Sequence, residues 1–106
     1  MKKLKIGIVG CGAIGKSLAK FIDRELYKKA VLSAICDIDL SQAAALKKTL
    51  RRSHPQIDNL EDLIKKSDLV VECASAKASY QVAKKAVREG KDVLIFAVGE
   101  MVYEVL

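Results

Sequence analysis

The sequence of 106 residues contains no tryptophan, one proline, one histidine and three cysteines. Cys11, Cys36 and Cys73 are odd in number and show no C-x-x-C spacing, which argues against a disulfide scaffold and against a zinc site. We therefore expect three small, buried, reduced side chains, no bound metal and a cytoplasmic protein. The single histidine, His54, precedes Pro55 in a predicted turn, so we expect a surface residue rather than a catalytic one.

Long apolar runs are also missing. No run approaches the roughly 20 residues that a transmembrane helix requires, so we expect no membrane association. The first residues, MKKLKIGIVGC, resemble a short lipoprotein signal, because basic residues precede an apolar run that ends in Gly-Cys. Only five residues separate Lys5 from Cys11, fewer than the apolar region of such a signal contains, and the glycine pattern continues past the cysteine. We therefore expect this segment to belong to the folded domain.

Positive charge is in excess, with 19 Lys and Arg against 13 Asp and Glu. The basic residues come as pairs spread along the chain, such as Lys47 with Lys48 and Lys84 with Lys85, and most fall late in predicted helices. Cations at such positions suit the helix dipole and the solvent face. Because the chain also has only three tyrosines, two phenylalanines and no basic tail, we expect no nucleic-acid partner.

What the sequence does contain is an alternation of apolar strands and amphipathic helices. Strands are predicted over residues 4–9, 31–36, briefly near Ile57, 69–74 and 93–96. Helices are predicted over residues 13–28, from a cap at Asp39 or Ser41 to about 52, over 60–66 and over 75–89. The alternation predicts an α/β fold of one domain, residues 1–106. It is a Rossmann-type doubly wound parallel sheet of about five strands with helices on both faces.

Apolar spacing also predicts which helix faces pack. In the first helix, the apolar residues recur at helical spacing: Ile14, Leu18, Phe21, Ile22 and Leu26. In the last helix, four residues are expected to face inward: Tyr80, Ala83, Ala86 and Val87. Gly90 is expected to end that helix, because glycine readily adopts the left-handed conformation found at helix C-termini.

A glycine-rich loop follows the first predicted strand. The pattern G-x-G-x-x-G is formed by Gly10, Cys11, Gly12, Ala13, Ile14 and Gly15. Alone it is weak evidence, but a preceding strand, a following helix and an acidic residue some 20 or more positions later make it specific for a dinucleotide. Gly10 permits a tight turn, Gly12 leaves room for a pyrophosphate and Gly15 lets the helix approach the strand. Backbone N–H groups at the helix N-terminus are expected to bind the phosphates.

The acidic residue is Asp37, at the end of the second predicted strand. A carboxylate there accepts hydrogen bonds from the adenine-ribose hydroxyls and repels a 2′-phosphate, so we expect NAD as the cofactor, with NADP possible. Two alternatives stay open: Asp39 as the ribose-binding carboxylate, and Asp37 as a turn or capping residue. Lys47 and Arg51 are predicted to follow on the next helix, and a cation close to Asp37 would favour a 2′-phosphate and thus NADP.

The nicotinamide half is expected beyond the ends of the fourth and fifth strands. The residues predicted to line it are Cys73, Ala74 and Ser75 after the fourth strand, and Ala97, Val98 and Gly99 after the fifth. No catalytic residue is assigned, because the only carboxylates nearby are Glu72, within a strand, and Glu100, after the fifth strand. For Glu72 we expect a structural role, facing a helix terminus or a margin of the sheet.

Four features together resemble the cofactor domain of L-aspartate dehydrogenases over nearly all of the chain. They are the stretches IGIVGCGAIGKSLAKFID, DLVVECASAKA and GKDVLIFAVG, together with Asp37, and VECAS is the most specific element. The resemblance implies a Rossmann domain followed by an α+β substrate and dimerisation domain. It implies oxidative deamination of L-aspartate to iminoaspartate, and so to oxaloacetate, with NAD or NADP, and in some members a role in NAD biosynthesis. Phosphate contact is thereby implied for the glycine loop and ribose contact for Asp37.

The chain departs from that family in two ways. After the fifth strand it reads AVGEMVY instead of the usual SVGALAD, so that Ala97 stands where serine is common. The resemblance places the family's catalytic histidine and substrate-binding residues in the second domain, which we expect to be missing from this chain. We therefore expect cofactor binding without activity, a missing C-terminal substrate domain as partner and a homo-oligomer for the full-length protein.

The last residues, EMVYEVL, read as a helix start with uncovered apolar side chains. This pattern favours self-association or a missing partner. The alternative function is a stand-alone nucleotide-sensing regulatory module, which needs the same loop but no catalytic domain.

Overall fold

A parallel sheet forms the centre of the computed structural model, which describes residues 2–96. Its strands are β1 (Leu4–Val9), β2 (Ala30–Cys36), β3 (Gln56–Ile57), β4 (Leu69–Glu72) and β5 (Asp92–Ile95). The helices are α1 (Ala13–Glu25), α2 (Leu40–Thr49), α3 (Leu60–Lys66) and α4 (Ala76–Arg88). The strand order β3-β2-β1-β4-β5 reverses direction at β1 and confirms the predicted doubly wound fold.

The register of the sheet brings the carboxyl ends of its central strands level. Val9, the last residue of β1, pairs with Cys36 on one side and with Glu72 on the other. Glu72 pairs in turn with Ile95 of β5. The loops that follow these strands therefore leave the sheet side by side, at the edge where ligands bind in open α/β sheets.

Helices cover both faces of the sheet. On one face, α1 and α2 contribute Ala19, Ile22, Ala43 and Leu46 to an apolar cluster with the central strands. On the other face, α3 and α4 contribute Leu63, Ile64, Val82 and Ala86 to a second cluster. The sheet is thus buried on both sides, which explains why its central strands read as nearly continuous apolar runs.

A close approach at Gly7 sets the distance between β1 and α3. A Cβ atom at Gly7 would lie 2.2 Å from the Ser67 hydroxyl oxygen and 2.7 Å from a methyl carbon of Leu63. The absence of a side chain at this position therefore allows α3 to pack directly on the central strand.

The predicted inner face of α4 is wrong for two residues. Tyr80 is 42% exposed and Val87 is 66% exposed, whereas the buried positions are Ser79, Val82 and Ala86. The prediction followed the apolar side chains, but the position nearest the end of β4 is occupied by a serine that bonds to a buried carboxylate. Gly90 has φ +74° and follows the helix end, as predicted.

Helix α1 begins at Ala13 as predicted but ends at Glu25 instead of near residue 28, and of its predicted apolar stripe only Ile22 is fully buried. The buried positions of α1 are Gly15, Ala19, Ile22 and Asp23, while Ile14 and others of the stripe remain exposed. Gly15 and Ala19 are the inner positions nearest the start of the helix, and they are small because the helix lies very close to β1 at its first turn.

A buried carboxylate ties α1 to the segment between α2 and β3. Asp23 is 1% exposed and accepts hydrogen bonds from the backbone N–H groups of Arg51, Arg52 and Ser53 at 2.8, 3.0 and 2.7 Å. Burial alone would raise the pKa of Asp23, but these three donors and the Arg52 guanidinium hold it below its ordinary value of 3.8. No local pattern predicts this contact, because its partners lie about 30 positions apart in the chain.

No helix among residues 2–96 has the length and apolar character needed to cross a membrane.

Candidate dinucleotide-binding site

The glycine loop connects β1 to α1 with the geometry that its sequence predicts. Gly10 has φ +96°, a left-handed conformation that favours glycine, and its N–H donates to the Cys36 carbonyl oxygen at 2.8 Å. A Cβ atom at Gly10 would lie 2.6 Å from the backbone nitrogen of Ala74. At Gly15 it would lie 1.9 Å from the Gly10 carbonyl oxygen. Two of the three glycines are therefore required by the fold itself.

Gly12 is different, because its missing side chain faces open space. A Cβ atom there would meet no other atom of residues 2–96 within 4 Å, and the φ of −77° is accessible to any residue. Gly12 is the N-cap of α1 and offers no side-chain hydrogen bond, and the first turn carries no acidic residue. The other described helices, α2, α3 and α4, are each capped by a side chain, from Asp39, Asn59 and Ser75.

Among the described residues, no side chain caps the N-terminus of α1 and no atom fills the space beside Gly12, so an external anion could bind to the backbone donors there. A phosphate at such a position is typically stabilised by about 0.3 to 2 kcal/mol through the helix dipole alone, before hydrogen bonds are counted. The residues present therefore fit a pyrophosphate group.

Asp37 is held against this loop. One carboxylate oxygen, Oδ2, accepts from the Cys11 N–H at 2.7 Å, and Oδ1 accepts from the Asp39 N–H at 2.8 Å. Each oxygen keeps a second lone pair for a ligand hydroxyl. The alternative turn role of Asp37 is therefore real and coexists with its place in the cleft. Asp39 instead caps α2, accepting from the Ser41 N–H at 3.0 Å and the Ser41 hydroxyl at 2.6 Å.

A cleft of about 450 Å³ joins these elements. Its lining includes the glycine loop (Gly10, Gly12), the residues that follow β2 (Asp37, Ile38) and the β4–α4 loop (Ala74, Ser75). The structure therefore brings Ala74 and Ser75 into the same cleft as Asp37. Ile38, whose side chain is fully exposed, was not singled out from the sequence. The sequence feature that could have indicated Ile38 is its place directly after the Asp37 carboxylate, where an apolar side chain can pack against a flat apolar group of a ligand.

The remaining predicted site residues lie at other places. The Cys11 side chain is buried beneath the loop, and its Sγ lies 3.7 Å from the Cys36 carbonyl oxygen. Ala13 and Ile14 begin α1, but their side chains line a separate groove with Phe96, so only their backbone belongs to the loop. Three further predicted site residues lie outside the described residues, namely Ala97, Val98 and Gly99. The apolar residues of the EMVYEVL segment also lie outside them.

The three cysteines are free thiols close to the cleft. Burial is the main reason that the pKa of Cys11 rises to about 12, with the Asp37 carboxylate as the second cause. Burial likewise raises the pKa of Cys73 to about 11 and raises that of Cys36. The thiols are therefore neutral at physiological pH and behave as small apolar groups. Within residues 2–96, no group of three His, Cys, Asp or Glu side chains is placed to hold a metal.

Glu72 is fully buried at the end of β4, beneath the wall of the cleft. Its Oε1 accepts from the N–H groups of Ala74 at 2.7 Å and Ser75 at 3.3 Å, and its Oε2 contacts the Ser79 hydroxyl. The carboxylate therefore faces the N-terminus of α4, one of the two placements expected for it. His54, as expected, is exposed.

Comparison with known proteins adds family relationships to this geometry. Residues 10–105 match the family model described as homoserine dehydrogenase, NAD binding domain. L-Aspartate dehydrogenase of Methanocaldococcus jannaschii is 42% identical over 99 residues, which cover 92% of this chain and 36% of that enzyme. L-Aspartate dehydrogenase of Methanosarcina acetivorans is 40% identical over 103 residues, which cover 97% of this chain and 38% of that enzyme. The chain thus spans little more than a third of the length of these relatives.

Solved structures with the same architecture include inositol dehydrogenases. Apo scyllo-inositol dehydrogenase of Lactobacillus casei superposes with a TM-score of 0.80 at 27% identity, over 92% of this chain and 30% of that one. The same enzyme with bound NAD(H) and scyllo-inositol gives 0.77 at 27% identity, over 89% of this chain and 28% of that one.

Proposed function

Because this chain belongs to the homoserine dehydrogenase NAD-binding-domain family, we propose that it is the cofactor-binding part of an L-aspartate dehydrogenase. The cofactor is NAD, in agreement with the family match. When bound, a nicotinamide dinucleotide supplies the hydride acceptor for oxidation of an amine to an imine. The identity of 42% to the M. jannaschii enzyme supports L-aspartate as the substrate of the whole protein.

The uncapped N-terminus of α1 is the observation that carries the site assignment. The open space at Gly12, the free backbone donors of the first turn and the anchored Asp37 carboxylate converge on one cleft. In this proposal the loop binds the pyrophosphate through the backbone, and Asp37 accepts from the adenine-ribose hydroxyls. Ala74 and Ser75, together with residues 97–99, complete the cofactor site.

The position of Asp37 supports a preference for NAD over NADP. Its carboxylate is fixed by two N–H donors, so it has little freedom to turn away from a 2′-phosphate. Like charges in contact cost several kcal/mol, and each 1.4 kcal/mol is a factor of ten in affinity. We infer a preference for NAD of at least tenfold.

The residues that bind substrate and move its proton belong to a further, C-terminal domain in this proposal. The relatives' greater length supports such a domain, since the chain spans 36% of the M. jannaschii enzyme. Homo-oligomerisation, a cytoplasmic location and a contribution to NAD biosynthesis follow for the full-length protein. The chain alone binds cofactor without oxidising aspartate.

Titration of the 106-residue chain with NADH and with NADPH tests this function. The chain has no tryptophan, so binding is followed through the cofactor's own fluorescence without transfer from that residue. We expect saturable NADH binding and at least tenfold weaker NADPH binding. A folded sample that binds neither dinucleotide would refute the proposed site, and equal affinities would refute the role of Asp37.

A further inference from the structure

The β4–α4 loop, residues 73–75, forms one wall of the cleft and packs directly on the glycine loop. The Cys73 N–H donates to the Val9 carbonyl oxygen at 2.7 Å. The backbone of Ala74 lies so near Gly10 that a Cβ atom on Gly10 would be 2.6 Å from its nitrogen and 2.7 Å from its Cα. Any displacement of this loop therefore changes both sides of the cleft.

Glu72 fixes the conformation of that loop. Its side chain folds back so that Oε1 accepts from two successive backbone donors, Ala74 at 2.7 Å and Ser75 at 3.3 Å. Its Oε2 contacts the Ser79 hydroxyl, one turn into α4. One buried carboxylate thus joins the end of β4, the loop and the first turn of α4. A carboxylate within an apolar strand is rare unless it is hydrogen-bonded, and the strand itself gains nothing from it.

We propose that Glu72 is a positioning residue for cofactor binding, which holds the Ala74–Ser75 wall at the spacing from the glycine loop that the dinucleotide requires. The inference rests on the proposed cofactor site. In it, Glu72 does not touch the cofactor and acts only through the backbone that it orders. What it supplies is hydrogen-bond acceptors at the correct reach, rather than its charge.

Two conservative substitutions separate reach from charge. In Glu72→Gln the amide oxygen accepts from the same two N–H groups. The amide NH₂ donates to Ser79 Oγ, whose own hydroxyl donates to the Ser75 carbonyl oxygen at 2.7 Å. In Glu72→Asp the charge is kept, but the side chain is one methylene shorter and cannot reach the loop and the helix together. We expect the NADH affinity of Glu72→Gln to lie within threefold of that of the original chain. We expect the affinity of Glu72→Asp to be at least fivefold weaker.

Asp23→Asn supplies a control for general destabilisation. Asp23 is also a buried carboxylate that accepts backbone N–H groups, but it lies near the opposite end of α1, about 15 Å along the helix from its first residue. We expect this variant to lose thermal stability and to keep its NADH affinity when measured below its melting temperature. Circular dichroism establishes that each variant is folded at the temperature of the titration.

The outcomes are distinct. If the original chain does not bind NADH, the proposed site itself is wrong. If it binds and Glu72→Asp binds equally well, Glu72 does not position the site. If Glu72→Gln loses affinity and Glu72→Asp keeps it, the charge matters and positioning is refuted. An equal loss in Asp23→Asn would also overturn the proposal, because the effect would then follow stability. The positioning role of Glu72 is supported if Glu72→Asp binds NADH weakly while Glu72→Gln binds it almost as well as the original chain.

Discussion

The Asp37 carboxylate accepts a hydrogen bond from the Cys11 backbone N–H at 2.7 Å, across 26 positions of sequence. This bond joins the segment after β2 to the glycine loop, so the two elements proposed to bind the ribose and the phosphates form one unit. A loop already held in place loses less entropy when a ligand binds. Because of this bond, a substitution of Asp37 removes an anchor of the glycine loop as well as the proposed contact with the ribose.

Gly12 allows the site to be tested without disturbing the fold. In Gly12→Ala the new methyl group meets no atom of the part of the chain that the structure describes, and the backbone is unstrained, so we expect the free energy of unfolding to change by less than about 1 kcal/mol. The methyl group occupies the space proposed for the pyrophosphate, so NADH affinity should fall at least tenfold. Fluorescence titration and urea unfolding measure the two effects.

Gly15→Ala is the matched control for that variant. Its methyl group would lie 1.9 Å from the Gly10 carbonyl oxygen, so it should lower stability as well as binding. A Gly12→Ala variant that binds NADH normally would show that the pyrophosphate does not lie at the loop.

Asp37→Ser should narrow the difference in affinity between NADH and NADPH. The substitution removes the charge that faces a 2′-phosphate, and it also frees the N–H groups of Cys11 and Asp39 at a cost of about 1 to 3 kcal/mol in stability. Parallel titrations with the two dinucleotides give the ratio. Asp39→Ser keeps a helix-capping side chain and should leave the ratio unchanged; an altered ratio there would assign selectivity to Asp39.

Asp23 should make the free energy of unfolding depend on pH in the acid range. Its pKa is depressed in the folded chain, because three N–H donors outweigh the effect of burial, so its contribution is present above the ordinary pKa of 3.8. That contribution is lost as pH falls through the lower, folded value. The variant Asp23→Asn should be less stable by about 1 to 3 kcal/mol at neutral pH and should lose stability less steeply in acid. Urea unfolding from pH 7 to pH 3 measures both, and parallel curves for the two proteins would exclude this role.

The sequence predicted those parts of the molecule that local patterns determine. Strand β1 has the predicted bounds, because an apolar run followed by Gly10 leaves no alternative end. The loop, Asp37 and the doubly wound sheet are present as expected, since their signals are short-range: a glycine spacing, a strand-end carboxylate and an alternation of periods.

The errors arise where distant residues meet. The buried face of α4 is not the face predicted from its apolar side chains, because Ser79 points inward to contact the Glu72 carboxylate. Neither residue predicts this contact by itself. The Asp23 contacts with residues 51–53 were missed for the same reason, since a backbone N–H group has no sequence signature. Ile38 was missed because its exposure depends on how β2 ends relative to the neighbouring loops.

The level row of Val9, Cys36 and Glu72 has a consequence for how such a chain tolerates insertions and deletions. One residue added within β1 or β4 would advance the following loop by about 3.3 Å and turn its side chains to the opposite face. The cleft would lose a wall although the sheet stayed intact. At the opposite edge, the turn before Ala30 precedes the strand and contributes nothing to the cleft. Changes of length should therefore accumulate at that edge among functional variants of this sequence.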